Sequence, residues 1–142
     1  MKKIRLGTKS KNISYKFRET CFGIVEKDNE FYVTEKDGEI SLIGGVEEKE
    51  TQEETLKREF MEEVGLIITK INPFITIDCY WFTRDGHDRN SLANFYIIEV
   101  SERIKEPTEK CSKLVKKSSE EIKNQLALPY QKKAMEYYLE KK

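Results

Sequence analysis

Apolar residues along this chain recur with two spacings, and the change from one to the other marks out its elements. "CFGIVEKD" (21–28) and "EFYVTEKDG" (30–38) read as two strands about a turn at Asp28-Asn29, residue types that suit a tight reversal. "ISLIGG" (40–45) is a short strand that runs into glycines. From 51 to 64 the spacing turns helical, with Leu56, Phe60 and Val64 repeating every four residues. Thr51 with Glu54 has the capping-box spacing at the start, and Gly65 suits the left-handed residue that ends a helix. Runs rich in β-branched and aromatic residues return at 66–83 and 91–100, joined by the polar "RDGHDRN" (84–90). "SKLVKK" (112–117) reads as a last short strand and Ser118-Ser119-Glu120-Glu121 as a helix start. Pro129 stands at the first position of a final helix, "PYQKKAMEYYLEKK". Strands and helices alternate loosely, with hairpins among them, so the expected fold is α/β, a mixed sheet flanked by helices. No linker or internal repeat interrupts the pattern, and residues 1–142 are expected to form a single domain.

Composition narrows the class. A chain of 142 residues is long enough for a proper core, and an aromatic content of 11% argues against disorder despite 37% charged residues. There is no apolar run near the length of a membrane helix and no signal-peptide pattern, so the expectation is a cytoplasmic protein with no membrane partner. Cys21, Cys79 and Cys111 are far apart and odd in number, which reads as reduced thiols rather than a disulfide frame or zinc site. His87 is the only histidine, which rules out chemistry needing a pair. Residues 1–18 carry seven basic groups and no acid. With no aromatic stacking platform interleaved, they read as a solvated leader beside an edge strand, and nucleic acid is not the expected partner.

The formal net charge is zero, yet eight glutamates fall within the seventeen residues from Glu47 to Glu63. At roughly 100° per residue, Leu56, Phe60 and Val64 form an apolar stripe, while Glu59, Glu62 and Glu63 share an arc of about 100° beside it. Like charges at i, i+3 and i+4 repel, and an ordinary solvated face intersperses lysines, which this one does not. The alternatives at this stage are an acidic surface helix and a divalent-cation site; hard oxygen ligands of this kind suit Mg²⁺ or Mn²⁺.

Gly44, five residues, Glu50, seven residues, then Arg58-Glu59-Phe60-Met61-Glu62-Glu63-Val64-Gly65-Leu66 resembles the Nudix box, G-x5-E-x7-R-E-U-x-E-E-x-G-U with U apolar. Every fixed position is met, and the strand order around it fits the family over most of the chain. The resemblance implies a MutT-like Nudix hydrolase, an α/β/α sandwich with a mixed central sheet. Its activity would be Mg²⁺- or Mn²⁺-dependent hydrolysis of a diphosphate bond in a nucleoside diphosphate-linked substrate. It also implies Glu59, Glu62 and Glu63 as metal ligands, with Arg58 and Glu50 behind them as a guanidinium fork holding the carboxylates. Glu59 or Glu62 would accept the proton from the attacking water, with Arg58 in the catalytic set. A backbone carbonyl of the glycine strand would complete the metal site. It is assigned to Gly44, with Ile43 and Gly45 as alternatives, because "LIGGVEEKE" departs from the related L-P-G-G-x-x-E-x-G-E. Ile43 replaces the Pro, Lys49 replaces the later Gly, and the glycine pair lies one residue closer to Glu50.

Substrate choice lies outside the box. The patterns of coenzyme A and NADH pyrophosphatases are absent, and no Pro stands near Tyr80-Trp81-Phe82 as ADP-ribose enzymes have it. Ala127 takes the place of the Asn used by MutT-type enzymes that recognise oxidised guanine, which counts against that substrate unless Asn124 or Gln125 replaces it. Candidate substrate contacts are Tyr80, Phe82, Arg84 and Glu109, with His87 and Arg89 also at the rim. The expected activity is hydrolysis of nucleoside triphosphates. Alternatives are a dinucleoside polyphosphate or ADP-sugar hydrolase, a non-hydrolysing nucleotide sensor, and an acidic protein-interaction helix. Homodimers are common in the family, so a homodimer is compatible with the resemblance.

Overall fold

The structure, a computed structural model, describes residues 1–47, 49–102, 106 and 112–142. The strands are β1 (Lys2–Leu6), β2 (Lys16–Ile24), β3 (Glu26–Lys27), β4 (Glu30–Lys36), β5 (Glu39–Ser41), β6 (Ile43–Val46), β7 (Ile68–Phe82), β8 (Asp88–Val100) and β9 (Lys113–Lys117). The helices are α1 (Gln52–Val64), α2 (Ser119–Gln125) and α3 (Pro129–Glu140). A five-stranded sheet runs β1-β7-β8-β2-β6, with β1/β7 and β2/β8 parallel and β7/β8 and β2/β6 antiparallel. β4 pairs antiparallel with β3, β5 and β9 in a second sheet. The mixed sheet with flanking helices is the architecture expected from the sequence.

Each face of the large sheet has its own core because side chains alternate across a strand. Phe22, Ile75, Ile77, Cys79, Ala93 and Phe95 point to the side where Tyr130, Ala134 and Met135 of α3 pack. Cys21, Ile43, Val25 and Ile98 point to the other, under Leu56, Phe60 and Val64 of α1. Gly23 lets α1 come close: a Cβ there would lie 2.6 Å from Phe60 Cζ and 2.5 Å from Ile98 Cδ1. Both signals at the ends of α1 hold. The Glu54 N–H donates to Thr51 Oγ1 at 3.2 Å, the Thr51 N–H donates to Glu54 Oε1 at 3.0 Å, and Gly65 has φ 70°.

Four boundaries differ from the sequence pattern. Residues 2–6 form an edge strand rather than a solvated leader, because Ile4 and Leu6 alternate inward onto the core while their basic neighbours face out. β2 begins at Lys16, and the expected 21–28 strand breaks at Val25, where the chain leaves one sheet for the other. The 40–45 strand is likewise divided at Leu42 between β5 and β6. Gln131, fully buried on α3, steadies that switch: its Oε1 accepts the Leu42 N–H at 2.9 Å and its Nε2 donates to Ser41 Oγ at 3.0 Å. Finally, pairing in the β7–β8 hairpin starts again at Asp88 rather than 91.

Candidate functional site

The glycine pair of β6 allows helix carboxylates to rest on strand backbone. The Gly44 N–H donates to Glu63 Oε1 at 3.2 Å. Gly45 lies under Glu59, and a Cβ on it would stand 2.9 Å from Glu59 Oε1. Any side chain there would occupy the space of a carboxylate, so the bare backbone is part of the cradle.

Arg58 ties the acids together. Its Nε and Nη2 donate to Glu50 Oε1 at 2.9 and 2.7 Å, and its Nη1 donates to Glu59 Oε1 at 2.8 Å and Glu62 Oε2 at 3.2 Å. Thr55, fully buried, adds a hydroxyl bond to Glu50 Oε1 at 3.0 Å. Hydrogen bonding to Arg58 holds the Glu50 carboxyl below the ordinary carboxylate range and raises the guanidinium in turn. Burial pushes Glu59 the other way, above that range, with the Glu62 charge adding to the rise. Hydrogen bonds from Arg58 and Glu63 and the Arg58 charge counter it. Of the three acids that Arg58 holds, Glu62 is the most open, its side chain 38% exposed against 18% for Glu50 and 13% for Glu59.

A cleft leads away from this cluster. Its first chamber, about 330 Å³, is walled by Thr34, Glu39, Ile40, Ser41 and Glu63, and it shares Ala127 and Leu128 with a second of about 520 Å³. The second is lined by Trp81, Phe82, Arg84, Arg89 and Pro129. Arg84 pairs with Glu39 across the two. Trp81 stands edge-on to Tyr130 at 5.9 Å between centroids and donates to Ser91 Oγ at 3.0 Å. Burial raises the Tyr130 hydroxyl to about 12, while the nearby charges of Arg18 and Arg89 pull it down. Arg89 Nε is buried with no hydrogen-bond partner among the described residues.

The NUDIX domain family model matches residues 19–132, the stretch holding the whole carboxylate cluster and the residues that line both chambers. The chain belongs to the Nudix family of hydrolases. A search of curated protein sequences finds no match. Among solved structures it is similar to a NUDIX hydrolase from Nitrosomonas europaea at TM-score 0.71 and 17% identity, covering 89% of this chain and 91% of that one. A mutator MutT protein from Bacillus halodurans matches at 0.68 and 19%, covering 86% and 82%. A MutT NUDIX hydrolase from Burkholderia pseudomallei matches at 0.66 and 19%, covering 85% and 97%. At these identities the likeness is one of fold. Nudix hydrolases act on nucleoside diphosphate-linked substrates with divalent metal ions, and membership assigns that class of activity and cofactor here.

The donor set of the Nudix helix fits such an ion. Glu59, Glu62 and Glu63 offer hard oxygens on one face, beside strand backbone that no side chain screens. As they stand, no three His, Cys, Asp or Glu groups among the described residues converge on one point, because Arg58 holds Glu59 and Glu62. Of the sequence-derived substrate contacts, Phe82 and Arg84 line the second chamber with Trp81. Tyr80 alternates with Trp81 and points to the opposite sheet face, where it meets Tyr15 edge-on at 5.0 Å and lies under Arg5. Glu109 lies outside the described residues. Arg18, Thr55 and Gln131 carried no sequence signal beyond an isolated polar residue. No helix among the described residues is long and apolar enough to cross a membrane.

Proposed function

We propose that this Nudix hydrolase, residues 1–142 acting as one catalytic unit, is a nucleoside triphosphate pyrophosphohydrolase that works with Mg²⁺ or Mn²⁺. The observation that carries the reading is the Arg58-centred carboxylate cluster, seated on bare glycine backbone at the mouth of an aromatic and cationic cleft. Glu59, Glu62 and Glu63 present the metal-binding oxygens, with the Gly44 backbone beside them. The bound ion supplies charge neutralisation at the phosphoryl oxygens and an acidified water. Arg58, Glu50 and Thr55 fix the carboxylates in register, which removes the reorganisation that a mobile cluster would need. We assign the proton from the water to Glu62, whose carboxylate is more open than that of Glu59 and has the longest of the Arg58 bonds. Trp81 offers an aromatic surface to a base, with Phe82 exposed at the rim, and Arg18, Arg84 and Arg89 offer charge to the substrate.

The test is a product assay over nucleoside triphosphates, dinucleoside polyphosphates and ADP-sugars, with Mg²⁺ and with Mn²⁺, on the wild type and on Glu62→Gln and Glu63→Gln. The amide oxygen introduced by Glu63→Gln can still accept the Gly44 N–H, so folding is expected to be normal while most turnover is lost. Wild-type rates in both variants would refute the assignment. No hydrolysis of any substrate by the wild type would favour a nucleotide sensor.

A further inference from the structure

The cleft continues beyond the two chambers described. A third, about 480 Å³, shares Asp85 and Arg89 with the second and is lined also by Tyr15, Lys16, His87 and Asp88. It has no residue in common with the chamber that contains Glu63. The order along the cleft is therefore carboxylates, aromatic chamber, outer chamber.

Lys16 and Arg89 give it two fixed cations beside the carboxylates of Asp85 and Asp88. Lys16 and Arg89 are register partners on β2 and β8 and project to the same sheet face. Neither is in an ion pair among the described residues, and Arg89 has its orphan Nε at the junction of the two chambers. Two acids share the chamber, and the charge of one of them, Asp85, already reaches Arg89. Asp85 accepts from Thr83 Oγ1 at 2.5 Å and faces His87 Nε2 at 3.6 Å. Asp88 precedes Arg89 on β8 and lines the same chamber. Tyr15 is held by the Ser10 N–H at 3.0 Å, which brings the segment bearing Lys9 and Lys11 to the outer rim.

We propose that the outer chamber binds a second phosphate of the substrate, carried on the 3′ side of the ribose, away from the anhydride that is cut. The inference rests on reading Glu59, Glu62 and Glu63 as the hydrolytic centre. With the 5′ phosphates there and the base among the aromatic residues, the ribose hydroxyls are left to carry an anion onward, and the 3′ oxygen is the one that ribo- and deoxyribonucleotides share. A lysine point charge beside an arginine fork suits a phosphate. Two sources share this chemistry: a 3′-phosphorylated mononucleotide, and the 5′-terminal nucleotide of a strand whose next phosphates would cross Lys9 and Lys11. The acid-free stretch of residues 1–18 then has a use.

Trp81 is the only tryptophan and lies one chamber away, so its fluorescence reports binding. A nucleoside 3′,5′-bisphosphate is expected to bind about tenfold or more tighter than the 5′-monophosphate, the scale of one charge-assisted contact. Lys16→Ala should abolish most of that ratio and Lys16→Arg should keep it. Equal affinities for the two ligands in the wild type would overturn the proposal, whatever the enzyme hydrolyses. In turnover, kcat/KM should rise about tenfold from a nucleoside triphosphate to its 3′-phosphate. A rise that stops there identifies the mononucleotide. A further, salt-sensitive rise with a 5′-triphosphorylated oligonucleotide identifies the strand, and no rise with either refutes the proposal. A bisphosphate preference without hydrolysis of any substrate would refute the hydrolytic reading and leave the phosphate site standing.

Discussion

Gly45→Ala separates the cradle from the fold. The added carbon would stand 2.9 Å from Glu59 Oε1 and 3.0 Å from its Cδ, where ordinary contact begins at 3.4 Å. The obstacle is the end of a flexible side chain, so the carboxylate retreats by roughly half an ångström and remakes its bond to Arg58. Gly45 lies in an extended pair with Cys21 and has no positive φ, so alanine fits the backbone. Removing a strand glycine gains roughly 0.5–1 kcal/mol and offsets the strained contact. Net stability should stay within about 1 kcal/mol, a Tm change of about 2–4 °C for a chain this size. Catalysis should suffer far more, since misplacing a reacting group by about an ångström costs on the order of a hundredfold. The expected result is kcat lower by roughly ten- to a hundredfold, or about 1.4–2.7 kcal/mol of activation free energy. Thermal melts and initial rates across a metal titration measure both quantities. Wild-type kcat with an unchanged melt would refute the placement of Glu59, and so would a melt lowered in proportion to the lost activity. Gly44→Ala is the contrast, because its Cβ would lie 2.1 Å from the Cys21 carbonyl oxygen, a backbone atom that cannot step aside.

Two further outcomes follow from the packing and the caps. Phe60→Ala empties a fully buried position between α1 and the sheet and should cost about 3–5 kcal/mol by urea unfolding, with a loss under about 1 kcal/mol contradicting the packing described. Bonds from the Thr51 and Ser118 backbone and hydroxyls hold Glu54 and Glu121 below the ordinary carboxylate value of 4.5. Their stabilising effect is complete above that value and is lost as pH falls through the lowered folded-state values. Tm should therefore hold steady down to about pH 5 and fall below about pH 4.5, less steeply in a Thr51→Ala, Ser118→Ala double variant; a Tm that rises on acidification would refute this.

The helix was legible because everything that defines it is local. Its cap, its apolar stripe, its three carboxylates and its Gly65 stop lie within fifteen residues of one another, where spacing alone sets geometry. The departure in the preceding loop also has a local explanation. Lys49 stands where the related pattern has Gly, and it takes φ 53°, the left-handed conformation glycine adopts freely, at a cost of roughly 1–2 kcal/mol. An unusual residue thus holds a backbone conformation that glycine adopts at no cost. The cleft was far less legible. Arg18, Arg89, Trp81 and Tyr130 come together from β2, β8, β7 and α3, and no spacing rule spans such distances. Tyr80 and Phe82 share a strand parity opposite to Trp81, so Trp81 is the one that faces α3, and Phe82 reaches the chamber at the strand end. β1 was hidden by charge: two apolar residues among three basic ones look like a solvated segment until a neighbouring strand gives them a core to face.

That same edge strand imposes an order on folding. Lys2 to Leu6 lie parallel to Ile75 to Cys79, so their hydrogen bonds close a loop of roughly seventy residues. During synthesis at about 5–20 residues per second, β1 waits on the order of several seconds before its partner exists. Parallel pairing over such a separation is also among the slower steps available to a refolding chain. The β7–β8 hairpin and α1, built from neighbours in sequence, are in a position to form first and present the template. β2 pairs in parallel with β8 over the same separation, so both long-range closures wait on the hairpin, and until β1 joins the sheet Ile4 and Leu6 remain uncovered apolar surface.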